Sequence, residues 1–161
     1  MLYAKVKRQD RISYIIVDTD ILIDASHDVQ LSLDCLRRLE QQATLAISVV
    51  TEMELIVGCR NKMELRVIEL LIGRFHLLGI SEPISYRASQ LLKQYRLSHG
   101  LLILDAIIAA TAMETNEPLI SKNQRDFGKV HQVDGNDPQT ENDKKQLMEV
   151  LEHRYYWPGG N

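Results

Sequence analysis

The chain predicts an α/β fold: a central, mostly parallel sheet flanked by helices. Short β-branched or apolar runs alternate with stretches of helical spacing over most of its length. At 161 residues it fits one domain with room for a real hydrophobic core. Four short stretches also place acidic or amide residues where a strand runs into a helix, the rim at which such folds bind ligands.

The elements follow in order. Tyr14 to Val17 is a β-branched run that reads as a buried strand, and Asp18-Thr19-Asp20 offers cap residues for a helix beginning near Asp20. From Val29 to Gln41, Leu33, Leu36 and Leu39 recur at helical spacing with charges between them. Thr44 to Ile47 reads as a second strand. Ser48 or Thr51 then opens a helix that Gly58 stops. Glu64 to Ile72 is helical, ended by Gly73, and Phe75 to Ile80 is a third strand. Glu82-Pro83 puts proline in the first turn of a helix running to Ser98, before His99-Gly100. Asp105 to Glu114, rich in Ala and Ile, predicts a mostly buried helix. Pro118 to Ser121 is a fourth strand and Val130 to Val133 a short fifth, with a last short helix from Gln146 to His153. The domain division is an extension over 1–13, a folded unit over 14–133, and a polar linker and tail over 134–161.

Composition narrows the function classes. A formal net charge of −3 argues against a surface that is basic all over, yet leaves room for a nucleic-acid enzyme with local positive charge. The longest apolar stretches are too short and interrupted to span a bilayer. Met1 to Ser13 carries Lys5, Lys7, Arg8 and Arg11 without the apolar core of a secretory signal, so a cytoplasmic location is expected. Cys35 and Cys59 lack the spacing of a zinc site or a disulfide framework.

The acids carry the chemistry, and each has a plainer account beside it. Asp18 ends an apolar strand as either a helix cap or a ligand, with Asp20 or Thr19 able to cap instead. Thr51-x-x-Glu54 fits a capping box, but Glu54 also falls on a face with Leu55, Val57 and Gly58 that is expected to turn inward. Asp105, set among Leu101 to Leu104 and Ala106 to Ala110, is either a buried structural acid or a ligand in a first helical turn. Asn123 and Asp126 read as a turn residue and a surface charge, or as further members of the cluster. Carboxylates without His or Cys partners suit a hard divalent cation such as Mg²⁺ or Mn²⁺.

Taken together in order and spacing, these segments resemble the PIN domain, and more narrowly the VapC-type toxins of bacterial toxin–antitoxin pairs. The carriers are the segments around Asp18, from Ser48 to Gly58, around Asp105, and from Ser121 to Phe127, with His99-Gly100 just upstream of Asp105. The resemblance covers roughly Tyr14 to Val133. It implies a PIN-like sandwich and a metal-dependent endoribonuclease that hydrolyses RNA phosphodiesters with a metal-activated water. It assigns Asp18, Glu54 and Asp105 as the first three acids and metal ligands, and a fourth catalytic position to Asn123 or Asp126. Thr19 and Ser121 match hydroxyl positions beside the acids. Asn123 is neutral where many relatives carry an acid, which leaves three carboxylates unless Asp126 turns inward.

The same resemblance implies Mg²⁺ (or Mn²⁺) as cofactor, an RNA substrate, a small antitoxin partner, a homodimer and no membrane. Leu65, Leu70, Leu71 and Ile72 are the residues of the Glu64 helix available to an interface or to the core. Two rival readings compete with the nuclease. Asp18-Thr19-Asp20 also resembles the nucleophile motif of haloacid-dehalogenase-like phosphatases, although Asp105 stands apart from the paired acids that family needs. A non-catalytic PIN-like binding module would account for the neutral Asn123.

Overall fold

The computed structural model describes residues 14–122. The extension over 1–13, Asn123, Asp126, the strand expected at Val130 to Val133 and everything after it lie outside the described residues. Within them the chain forms β1 (Tyr14–Val17), α1 (Thr19–Ser26), α2 (Gln30–Glu40), β2 (Thr44–Ser48), α3 (Val49–Val57), α4 (Lys62–Ile72), β3 (His76–Leu78), α5 (Glu82–His99), α6 (Ile103–Thr115) and β4 (Leu119–Ile120). The strands make one parallel sheet in the order β3-β2-β1-β4.

Side-chain alternation along the strands divides the core into two layers. Ile15, Val17, Leu45, Ile47 and Ile120 face one way and pack with α1, α2, Leu55 of α3 and Ile68 of α4. Ile16, Ala46 and Leu119 face the other way, against α5 and α6. Small residues suit that second layer. Ala106, Ala109, Ala110 and Ala112 of α6 are all buried, so the helix packs closely between the sheet and α5.

The sequence placed most elements correctly and several details differently. Asp18 itself is the N-cap of α1, accepting from the N–H of Thr19. The Thr51–Glu54 capping box does not form. Ser48 caps α3 instead, so Thr51 lies inside the helix and Glu54 is free to bond elsewhere. Val57, expected to face inward with Glu54, is 84% exposed. The third strand shortens to His76–Leu78, because it has a single partner in β2 and only three residues register with it. On α4, Leu70 is exposed, while Leu71 and Ile72 pack against the core. Leu102, Ile103 and Leu104, read as part of a buried apolar segment, are exposed. Gly100 closes α5 at φ 73°, a left-handed cap that glycine adopts without strain.

Candidate active site

Strand order fixes where a site can form. The chain moves from β1 to β2 on one side and places β4 on the other, so β1 and β4 flank a topological switch point. In parallel α/β sheets the crevice at the carboxyl ends of such strands is where ligands bind. Asp18 follows β1 directly, and Ser121 follows β4 directly. Backbone pairing holds the two together, with the N–H of Asp18 donating to the carbonyl of Ile120 at 3.0 Å.

Asp18 is 5% exposed and gripped at both carboxylate oxygens. Its Oδ1 accepts from the Thr19 N–H at 2.7 Å, and its Oδ2 accepts from the Ser121 hydroxyl at 2.6 Å. Burial nevertheless pushes its pKa up, against those two bonds, and the nearby charge of Glu54 adds to the rise. Glu54 arrives from α3, where its Oε2 accepts from the Thr19 hydroxyl at 2.7 Å. Thr51, fully buried one helical turn earlier, lies with its hydroxyl 3.1 Å from the same Thr19 oxygen. Thr19 therefore joins the first two acids: its backbone holds Asp18 and its side chain holds Glu54.

Asp105 occupies the first turn of α6 and is half-buried. The far end of α6 leads through Glu117, which accepts from the N–H of Tyr14, to the opening end of β1 and β4. The first turn therefore points back towards the other end of the sheet, on a helix that touches α3. Asn123 and Asp126 lie outside the described residues.

Asp20, which the sequence offered as a cap or as part of a phosphatase-like Asp-Thr-Asp motif, belongs to the same place. Asp20, in the first turn of α1, accepts from the backbone N–H of Lys122 at 3.1 Å through Oδ2. Its Oδ1 is buried and has no hydrogen-bond partner among the described residues. Burial, then the charge of Asp18, pushes its pKa up to about 7. The Asp-x-Asp spacing was the available signal.

Among the described residues no three His, Cys, Asp or Glu side chains form a ready cage for a metal ion. Magnesium does not require one: it keeps several waters and binds through one or two carboxylates together with substrate phosphate. Asp18 and Asp20 meet that lesser requirement. They offer hard oxygen donors and, at Asp20 Oδ1, a buried oxygen without a hydrogen-bond partner among the described residues.

The profile of the PIN domain matches residues 15–132. The chain belongs to the PIN-domain family. It is similar to ribonuclease VapC1 of Methanocaldococcus jannaschii, 34% identical over 128 residues, covering 78% of this chain and 88% of that protein. Ribonuclease VapC10 of Mycobacterium tuberculosis is 39% identical over 99 residues, covering 61% of this chain and 74% of that one. Among solved structures, a toxin–antitoxin complex from Klebsiella pneumoniae superposes with a TM-score of 0.59 at 32% identity, covering 70% of this chain and 89% of the other. VapBC2 from Rickettsia felis, bound to a DNA fragment from its promoter, gives a TM-score of 0.63 with 72% and 92% covered; at 22% identity it speaks for the PIN fold alone. The α/β architecture expected from the sequence is thus the architecture of this PIN domain.

Proposed function

We propose that the chain is a magnesium-dependent endoribonuclease and the toxin of a toxin–antitoxin pair. The observation that carries this reading is the hydrogen-bonded set of Asp18, Thr19, Thr51, Glu54 and Ser121, drawn from three parts of the chain to the sheet's switch point. That set occurs in a PIN domain whose relatives include proteins named as VapC ribonucleases. Family membership favours the nuclease over the phosphatase and the non-catalytic module.

A phosphodiester resists attack because nucleophile and phosphate are both anionic. When bound, a divalent cation supplies the missing positive charge, polarises the phosphoryl oxygen and lowers the pKa of a bound water. Asp18, Glu54 and Asp105 are the residues assigned to hold it. An ionised carboxylate has about four acceptor sites. The Thr19 N–H and the Ser121 hydroxyl occupy two of those on Asp18 and fix the rest in direction. Thr19 does the same for Glu54 from the opposite side. Asp105 adds negative charge from α6.

For the antitoxin, a groove of about 590 Å³ between α1, α3 and α4 offers a docking surface. Ile23, Met63 and Val67 line it and are 43%, 71% and 54% exposed, and Glu54 stands among the lining residues. An apolar partner segment lying there would reach the acids. A homodimer and a cytoplasmic setting complete the proposal. No described helix is long and apolar enough to cross a membrane.

Asp105→Asn should lower magnesium-dependent RNA cleavage by about a hundred-fold or more while the far-ultraviolet circular dichroism stays that of the parent. Cleavage at the parent rate by that variant would defeat the assignment. Release of phosphate from a small ester, with RNA left intact, would favour the phosphatase instead.

A further inference from the structure

We propose that Thr51 is a positioning residue for Glu54 and acts through Thr19, its hydroxyl donating to the Thr19 hydroxyl, which in turn donates to the Glu54 carboxylate. This rests on the nuclease reading above, in which Glu54 helps to hold the cation, and adds a residue to it.

The direction of the relay follows from counting protons. Each hydroxyl has one to give, and an ionised carboxylate only accepts. Thr19 Oγ1 lies 2.7 Å from Glu54 Oε2 and 3.1 Å from Thr51 Oγ1. The shorter, charge-assisted contact takes the Thr19 proton. The proton in the longer contact must then come from Thr51.

Nothing else competes for that proton. Thr111 and Thr115 of α6 give theirs to the carbonyls four residues earlier, those of Ile107 and Thr111. Thr51 stands in the first turn of α3, and the residue four earlier, Ile47, still belongs to β2. Thr51 is fully buried, and among the described residues its hydroxyl is bonded to Thr19 alone.

The relay has a consequence for the acid. A threonine side chain in a helix divides between two rotamers. The Thr51 proton selects for Thr19 the one that faces α3, and a hydroxyl that accepts a hydrogen bond donates a stronger one. Glu54 is half-buried on a long, rotatable side chain, and the Thr19 hydroxyl is its one donor among the described residues. Thr51 and Glu54 share a face of α3, so the relay runs out to α1 and back. Thr19 also gives its N–H to Asp18, so the second acid is set relative to the first.

The test uses the full chain. Thr51→Val keeps the shape and removes the hydroxyl, whereas Thr51→Ser keeps the hydroxyl and removes the methyl. Thr51→Ala replaces the valine variant if that one does not fold. Magnesium-dependent RNA cleavage gives kcat and KM. In the metal-free protein, three-bond couplings of Thr19 Cγ2 in nuclear magnetic resonance report its rotamer, and thermal unfolding reports stability.

If Thr51 served packing alone, serine would be the damaging change and valine harmless. The relay reverses that order. Thr51→Val should lower kcat about ten-fold with KM near that of the parent, while Thr51→Ser keeps most of the parental rate. The couplings should show one Thr19 rotamer in the parent and in Thr51→Ser, and an average in Thr51→Val. Added to Thr19→Val, Thr51→Val should cost no further rate, because it acts only through the Thr19 hydroxyl.

A parental rate in Thr51→Val, or a further loss on top of Thr19→Val, overturns the relay. So does a Thr51→Ser variant as slow as Thr51→Val and less stable, which marks Thr51 as packing. A parent without magnesium-dependent cleavage overturns the nuclease reading, and the Thr19 couplings then decide the relay on their own.

Discussion

The two turns of α1 treat their acids in opposite ways. Asp20 and Asp24 sit four residues apart on one helix, a spacing at which like charges face each other. Lys122 reaches both, giving its backbone N–H to Asp20 and its ammonium to Asp24. The Asp24 carboxyl is held below its usual range, first by the bond to Lys122 and further by Ser32 and the charge of His27. The Asp20 carboxyl rises to about 7, because burial and the charge of Asp18 outweigh what the Ile21 N–H and then the charge and N–H of Lys122 return. A carboxylate supplied with its own cation holds structure together. One that is buried beside a like charge gives up part of its ionisation near neutral pH.

The largest effect that bears on this contrast is a pH dependence of stability in the metal-free protein. Asp20 has a folded pKa raised from 3.8 to about 7, so the folded state binds its proton more tightly than the unfolded chain does. Its destabilising influence is absent below the unfolded value and grows as pH rises through the folded one. Urea unfolding of the parent should therefore weaken relative to Asp20→Asn between about pH 4 and about pH 7, by on the order of a few kcal/mol. Parallel curves for the two proteins would break the contrast. Asp24 has the reverse sign: its contribution is present above the ordinary carboxylate range and is lost as pH falls through it.

Ser121→Ala sharpens the comparison at the neighbouring acid. It leaves buried Asp18 Oδ2 without the Ser121 donor, a cost of about 1–3 kcal/mol on stability at neutral pH. Cleavage should fall about ten-fold, since the acid loses orientation and keeps its charge. An unchanged rate would mean that the hydroxyl does not orient Asp18 for the reaction. The smallest effect belongs to Asp24→Asn. Its bond to Lys122 lies between partly exposed side chains, so denaturation should report a loss below about 1 kcal/mol. RNA cleavage by that variant should match the parent; a large loss would place Asp24 in the reaction and erase the distinction between the two turns.

Most of the architecture was legible because it depends on local patterns. β-branched runs, helical spacing and the stop signals at Gly58, Gly73 and Gly100 found β1, β2 and every described helix to within a few residues. The strand-to-helix acids were read onto one rim, and among the described residues Asp18 and Glu54 are joined there through Thr19. Where the reading failed, a side chain had two competing partners. Thr51 and Glu54 have the spacing of a capping box, yet Ser48 began the helix three residues earlier and released Glu54 to Thr19. The fourth position was read onto Asn123 or Asp126, which lie outside the described residues, whereas the acid that the structure sets beside Asp18 is Asp20.

By itself the sequence determined the alternation of strands and helices, the hard-oxygen character of the donors, and the resemblance that family membership bears out. Those properties are written in residue type and spacing over a few turns. Tertiary structure alone decided which of the acids ionise readily and which resist it. Asp18, Asp20 and Asp24 are equivalent as letters, and their differences arise from Ser121 and Lys122, about a hundred residues away along the chain. Only folding brings β4 beside β1, and burial together with the position of one ammonium then sets the pKa of each carboxyl apart.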